Sequence, residues 1–325
     1  MARPEPQRVE RVAVLGAGTI GASWAAQFLA AGMDVVVHDP ALDTENFVRG
    51  FVDRAWPALE RLRLVPGADP RRIAFEAEPG DAVRNAHFVQ ESVPESLDAK
   101  RALYERMEAG LPPDAVVASS TSGIMPSDLQ AGRQGPERYL VGHPFNPPHL
   151  IPLVEVVGGK ATDLAVVRWA AGLYESMGKR PIVIKKEVPG HVANRMQVAL
   201  YREAIHLVLE GVARIEDVDA AIAYGPGLRW ALMGPHMQHH LAGGEGGIRH
   251  HLEHIGPGMQ RWWDDLGAPR MSQDVIDRIV DAFEATNPPA IETLAAERDA
   301  LLLSLLETLS RMRSGLEETE ASPEA

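Results

Sequence analysis

The chain contains no cysteine. Disulfides, thiolate nucleophiles and cysteine-ligated zinc are therefore excluded. No apolar run in the sequence reaches the roughly 18–20 residues that a membrane-spanning helix needs. Positive charge is in deficit: 32 Lys and Arg stand against 45 Asp and Glu, a formal net charge of −13. Phosphate backbones select basic surfaces, so neither nucleic acid nor an anionic membrane surface is an expected partner. An acidic balance mildly suits a cationic small ligand, although net charge speaks first to solubility. Residues 1–10 are polar and contain proline, without the apolar stretch of a secretory signal. A cytoplasmic enzyme is the expectation.

What is present is ordinary in bulk. The 325 residues are 45% hydrophobic and 24% charged, enough for two domains with a sizeable core. Val9 to Gly16 reads as a buried strand running into glycines, and Thr19 to Ala31 as the helix after it. Val35 to Asp39 reads as the second strand. Thr44 to Leu64 is helical by period, with an interruption expected near Pro57. Short strands follow at 72–75, 87–90, 115–118, 139–142, 152–157 and 181–184, with helices at 97–109 and 163–177. Strands alternating with helices over this length indicate a doubly wound, Rossmann-type α/β sheet. From Gly190 the pattern is almost purely helical: 192–209, 215–223, 231–241, 273–285 and 291–311. The expected division is a nucleotide-binding domain over 1–188 and an all-helical domain for substrate and dimerisation over 189–325. Residues 317–325 read as a frayed acidic tail.

Gly16-Ala17-Gly18-Thr19-Ile20-Gly21 has the spacing of a dinucleotide fingerprint, and it lies between a strand and a helix as that mechanism requires. Gly16 serves the tight turn, Gly18 lets the backbone approach a pyrophosphate, and Gly21 packs helix on strand. The free N–H groups of Thr19, Ile20 and Gly21 begin the helix and face an anion. Asp39 closes the second strand. A carboxylate there accepts both ribose hydroxyls and repels a 2′-phosphate, so NAD is expected over NADP. No metal is expected.

His143 and Glu155 lie inside Gly142-His143-Pro144-Phe145-Asn146-Pro147 and Val154-Glu155-Val156. A neutral imidazole, with an unperturbed pKa of about 6.5, accepts an alcohol proton near neutral pH. A carboxylate on its far side fixes the tautomer and stabilises the imidazolium. Taken alone, such a pair is also a satisfied core histidine.

Together with Glu91-Ser92-Val93-Pro94-Glu95, Ser120-Thr121-Ser122 and Pro189-Gly190-His191-Val192-Ala193-Asn194-Arg195, these motifs make the chain resemble the 3-hydroxyacyl-CoA dehydrogenase family over nearly its whole length. The resemblance implies NAD-dependent oxidation of a 3-hydroxyl, with His143 as general base, Glu155 orienting it, and Ser122 and Asn194 lining the reacting carbon. Ser122 also reads as an ordinary cap of the helix near Pro126. Glu91 and Lys100 resemble positions near the nicotinamide and the substrate, and both also read as solvated charges. Asn146 is a substrate candidate or a brace for its loop. The resemblance further implies a homodimer, and the apolar stretch 301–309 agrees with one.

Within the family, Gly227-Leu228-Arg229-Trp230, Gly243-Gly244-Glu245-Gly246 and Trp262-Trp263 resemble the branch that oxidises carnitine. Branches acting on L-gulonate or 3-hydroxyacyl-CoA, and a non-catalytic crystallin-like NAD-binding protein, stay open as alternatives. Carnitine carries a carboxylate, a 3-hydroxyl and a quaternary ammonium. Arg229 suits the carboxylate through a bidentate contact, with Lys100 and Arg195 as the alternatives. Trp230, Trp262, Trp263 and Glu245 suit the ammonium, which donates no hydrogen bond and is held by aromatic faces. Each of these tryptophans also reads as core or interface. The histidines at 236, 239, 240, 250, 251 and 254 have helical spacing suited to a metal face, but packing or solvated histidines are the default.

Overall fold

The computed structural model describes residues 3–62 and 64–320. The chain divides into two compact units. The first comprises residues up to Arg195 together with Asp299–Arg311, and the second comprises Met196–Arg298 with the residues from Met312.

The first unit is built on one sheet. Its strands are β1 (Arg11–Leu15), β2 (Asp34–His38), β3 (Ile73–Phe75), β4 (Phe88–Glu91), β5 (Val116–Ser119), β6 (Tyr139–Pro144), β7 (Leu153–Gly158) and β8 (Arg180–Ile184). They lie in the order β3-β2-β1-β4-β5-β6-β7-β8. Every neighbouring pair is parallel except β6 with β7. The helices of this unit are α1 (Thr19–Ala30), α2 (Thr44–Leu62), α3 (Pro79–Val83), α4 (Leu97–Met107), α5 (Pro126–Gln130) and α6 (Leu164–Ser176). β4 and β5 are buried along their whole length, and β1 in all but its first residue. That is why they read as apolar runs without alternation: helices cover both faces.

On one face α1 is almost wholly buried, because Ala22, Ala25 and Ala26 let it approach the sheet closely. Trp24 stacks on Phe28 at 5.4 Å and meets Tyr174, and Phe88 packs edge-on to Phe28 and Tyr174. The opposite face is filled by Leu103, Tyr104, Met107, Leu129 and Tyr139. α2 runs unbroken through Pro57, where the sequence suggested an interruption. Val48, Val52, Ala55 and Leu59 bury one stripe of the helix. That packing outweighs the one backbone hydrogen bond proline removes.

Strand order reverses between β1 and β4, which places a crevice at their carboxyl ends. There Leu15 is in register with Glu91, and Glu91 with Ser119 on β5.

The second unit is helical. Its elements are the body of α7 (Ala193–Leu209), then α8 (Ile215–Ala223), α9 (Pro226–Trp230), α10 (Pro235–Ala242), α11 (Gly247–Asp265), α12 (Gln273–Glu284) and α13 (Ile291–Glu320). Part of α13 is counted with the first unit, where Glu307 receives a two-pronged hydrogen bond from Arg61. Two differences from the sequence reading stand out. A single helix over 231–241 was expected; instead α9 ends at Trp230 and α10 starts at Pro235, a residue suited to the first helical position. α11 was not expected, because Gly256-Pro257-Gly258 lies inside it. Helix α13 continues through residues 317–320, and residues 321–325 of the expected tail lie outside the described residues. No helix among the described residues is long and apolar enough to cross a membrane.

Candidate active site

The glycine turn leaves β1 and enters α1. Gly16 has φ +90°, and a Cβ there would press on the backbone of Ser92 and Val93 at 2.6 Å. The turn and the end of β4 are therefore in direct contact, and only glycine permits it. A Cβ on Gly21 would overlap the Gly16 carbonyl oxygen. Nothing in the protein lies within 4 Å of a Cβ built on Gly18, the N-cap residue of α1. Gly18 and Thr19 are exposed, Ile20 is half-buried, and no side chain caps the helix. Unspent N–H groups and the positive end of the helix dipole thus face open space, as an incoming phosphate requires.

Asp39 sits beside this turn. One carboxylate oxygen accepts from the Ala17 N–H at 2.7 Å and the other from the Ala41 N–H at 2.9 Å. These bonds fix the carboxylate and leave further lone pairs on each oxygen. A pocket of about 180 Å³ is lined by Val37, Asp39, Ala41, Leu42, Phe75 and Ala77, among others. It has an apolar wall for a base and a carboxylate for a ribose.

His143 and Glu155 face each other across the antiparallel β6–β7 pair. Nδ1 of His143 lies 2.8 Å from Oε2 of Glu155, and both side chains are at most 5% exposed. The other oxygen, Oε1, accepts the backbone N–H groups of Val192 and Ala193, each at 2.9 Å, at the start of α7. Burial raises the carboxyl's pKa, but the bonds from His143, Ala193 and Val192 together outweigh it and hold Glu155 below its ordinary value. Glu155 is thus an anion that accepts Nδ1–H, which leaves the Nε2 lone pair of His143 free for an alcohol proton.

The β5 turn adds the remaining groups. Ser122 is exposed, while Asn194 is half-buried and donates from Nδ2 to the Ser122 carbonyl at 3.4 Å. The cap of α5 is Met125, not Ser122. Sequence reasoning assigned no role to Glu95. Its Oε1 accepts from the Thr121 hydroxyl at 2.5 Å and from the N–H groups of Ser122 at 3.0 Å and Gly123 at 3.1 Å. It also missed His191, which is fully buried with its ring centroid 5.3 Å from that of His143. Both residues lay inside quoted motifs, but spacing along the chain does not reveal which turn they reach.

Glu91 and Lys100 are not solvated charges, nor does either present a free group to a ligand. They form an ion pair at 2.8 Å, with side chains 0% and 1% exposed. Glu91 also accepts from Tyr104, Ser119 and the Val93 N–H. Lys100 reaches the Val93 carbonyl at 3.2 Å and Glu95 at 3.6 Å. The pair braces the segment 92–95. Asn146 is exposed, two residues beyond the end of β6.

In the helical unit Arg229 and Trp230 end α9, and Glu245 lies in a short turn before α11; all three are exposed. Trp262 and Trp263 are likewise exposed, so none of these tryptophans is core. His239 and His251 share a hydrogen bond at 2.8 Å, and His240 accepts the Ile248 N–H. Among the described residues no group of three or more ligating side chains is arranged to hold a metal ion.

Residues 11–188 match the family model for the NAD binding domain of 3-hydroxyacyl-CoA dehydrogenase, and residues 190–285 match that for its C-terminal domain. The L-carnitine dehydrogenase of Streptomyces coelicolor is 49% identical over 308 residues, covering 94% of this chain and 97% of its own. The L-carnitine dehydrogenase of Pseudomonas aeruginosa is 47% identical, covering 92% and 93%. Among solved structures, an NAD+-dependent dismutase, 5-formyl-3-hydroxy-2-methylpyridine 4-carboxylic acid 5-dehydrogenase, superposes with a TM-score of 0.82 at 31% identity, covering 93% of this chain and 99% of that one.

Proposed function

We propose, starting from the fact that this chain belongs to the 3-hydroxyacyl-CoA dehydrogenase family, that it oxidises the 3-hydroxyl of L-carnitine to 3-dehydrocarnitine with NAD. The observation that carries the chemistry is the 2.8 Å bond between His143 Nδ1 and a Glu155 carboxylate already held by two backbone N–H groups. The substrate is supported by the full-length similarity to L-carnitine dehydrogenases.

The glycine turn and Asp39 suit NAD: the turn offers open N–H groups, and Asp39 offers a fixed carboxylate. Gly16, Gly18, Thr19, Ile20 and Gly21 would hold the pyrophosphate, and Asp39 the ribose. NAD, when bound, supplies the hydride acceptor. The protein does the rest. His143 takes the hydroxyl proton on Nε2. Glu155 stabilises the resulting imidazolium and keeps the ring from turning. Ser122 and Asn194 donate to the oxygen as it becomes a carbonyl. Glu91 and Lys100 act from behind, fixing the 92–95 segment on which the Gly16 turn rests. Asn146, exposed just after β6, is kept in this reading as a substrate contact.

Carnitine also needs partners for its charged ends. On chemistry, Arg229 suits the carboxylate, and Trp230 and Glu245 suit the trimethylammonium. The domain assignment that accompanies this reading is NAD binding over 1–188 and substrate and dimer contacts over 189–325. Exposed Trp262, Trp263, Leu301 and Leu305 support a homodimer. The protein is assigned to the cytoplasm.

A substrate panel tests the proposal. NADH formation at its absorbance band is followed with L-carnitine, D-carnitine, L-gulonate and 3-hydroxybutyryl-CoA. Turnover of L-carnitine above the others is expected. Preference for gulonate or the CoA ester would replace the substrate, and no turnover of any would leave an NAD-binding protein without catalysis.

A further inference from the structure

His191 is a histidine that the proposed chemistry does not use. It is fully buried and has φ +51°, a left-handed backbone that side-chain-bearing residues seldom adopt. One ring nitrogen, Nε2, lies 3.2 Å from the Thr121 carbonyl. A carbonyl only accepts, so Nε2 carries the proton. The other, Nδ1, is buried without a partner among the described residues. Protonating it would put a second N–H where nothing accepts it, which keeps the ring neutral. The His143 ring is its neighbour at 5.3 Å between centroids, and Glu155 and Glu95 are the carboxylates whose charge acts on it.

The backbone after His191 has a second task. Its left-handed turn sends the next two N–H groups, of Val192 and Ala193, onto Glu155. The same residue therefore reaches the Ser122 turn with its side chain and aims the backbone donors at the carboxylate behind His143.

We propose that His191 is a positioning residue: it ties the Ser122 turn to the His143–Glu155 pair, so that the base and the hydroxyl's second partner are set at one distance. This rests on the roles proposed above for His143 and Ser122. Misplacing a reacting group by about 1 Å costs on the order of 100-fold in rate, so the tie has a kinetic signature.

The test compares His191→Leu with His191→Gln in the full-length enzyme. Leucine keeps bulk and loses the donor. Glutamine places an amide N–H where Nε2 stands. His191→Leu is expected to lower kcat about tenfold or more, with KM for NAD changed less than about twofold, and to raise the primary isotope effect with L-carnitine deuterated at C3. The isotope effect does not depend on the folded fraction, so it reads even a poorly folding variant. His191→Gln is expected to recover at least about a third of kcat. Wild-type kcat and isotope effect in His191→Leu, or equal loss in both variants, would overturn the proposal. If the panel identifies another 3-hydroxy acid, the same ratios are read on it. His143→Ala runs in parallel: activity surviving that change sinks the active-site reading, while the Leu-to-Gln ratio still reports on His191. Independently of turnover, nitrogen-15 shifts of the NAD-bound protein at pH 7 should show His191 neutral with the proton on Nε2. A charged ring, or the opposite tautomer, overturns the proposal as well.

Discussion

His143 and Glu155, twelve residues apart in the chain, are direct cross-strand partners in the register of β6 and β7. Directly opposed residues of an antiparallel pair point to the same face with their Cβ atoms about 5 Å apart. The dyad is thus set by sheet pairing rather than by a mobile loop. Its far oxygen is tied to the first N–H groups of α7, where the helix dipole favours an anion.

Removing the base should separate chemistry from binding. His143→Ala is expected to lower kcat by about 10²–10⁴-fold, while NADH affinity, followed by its fluorescence, stays within a few-fold. Equal loss of NADH affinity would make His143 a scaffold residue instead.

Glu155→Gln keeps the size of the side chain and removes the charge. An amide can accept from Nδ1–H but no longer stabilises the imidazolium, and its NH₂, a donor, cannot accept from the Val192 and Ala193 N–H groups. A drop in kcat of about 100-fold or more is expected, with KM for carnitine little changed, because the interaction is realised in the transition state. A change confined to KM would contradict that assignment.

Asp39→Ala should relax the choice of cofactor. The carboxylate accepts from Ala17 and Ala41 and so stands fixed where a 2′-phosphate would meet its charge. The ratio of kcat/KM for NAD over NADP should fall by about tenfold or more, the value of one removed like-charge contact of about 1.4 kcal/mol. An unchanged ratio would remove Asp39 from cofactor discrimination.

The sheet was legible in sequence because buried strands between turn glycines leave continuous Val-rich runs, as at 11–15 and 116–119. The glycine turn was legible because its spacing is dictated by steric contact, as Gly16 against Ser92 and Gly21 against Gly16 show. Helix α11 was not, since Gly256, Pro257 and Gly258 disfavour helix locally and only tertiary packing overrides them. Glu91 and Lys100 carry charges that ordinarily mark a surface. Their burial follows from the end of β4 being covered by α4, which no local pattern announces. The two backbone N–H groups that hold Glu155 have no side-chain signature at all.

Breaking the Glu91–Lys100 pair should destabilise the fold more than replacing it. Lys100→Met leaves the Glu91 carboxylate buried without its cation, and removing one partner of a buried pair costs about 3–5 kcal/mol. At roughly 1.5 °C per kcal/mol for a chain of 325 residues, Tm should fall by about 5–8 °C. Glu91→Gln combined with Lys100→Met should cost less than the sum of the two single changes, because the pair is coupled. Additive losses in calorimetry would show that the two charges do not support each other.

Lys179 should make the stability of the fold depend on pH. It is 5% exposed, lies 5.7 Å from the Trp24 ring centre, and donates to the carbonyls of Pro148 and Ile151 in the segment joining β6 to β7. Burial pushes its pKa down to about 7. The unfolded chain keeps an ordinary lysine, with a pKa of about 10.4. Below pH 7 both states are protonated, and the cost of burying the ammonium is fully present. Between about 7 and 10 the unfolded chain binds a proton that the folded protein has released, so stability rises with pH through that window. Lys179→Met removes the titration and leaves two carbonyls unpaired at every pH. Urea unfolding at intervals from pH 6 to 10 should therefore show the advantage of wild type over Lys179→Met growing above pH 7, by on the order of a few kcal/mol in all. All other groups titrate alike in the two proteins, so their difference isolates this lysine. A constant difference across the window would mean that its ammonium keeps an ordinary pKa despite its burial.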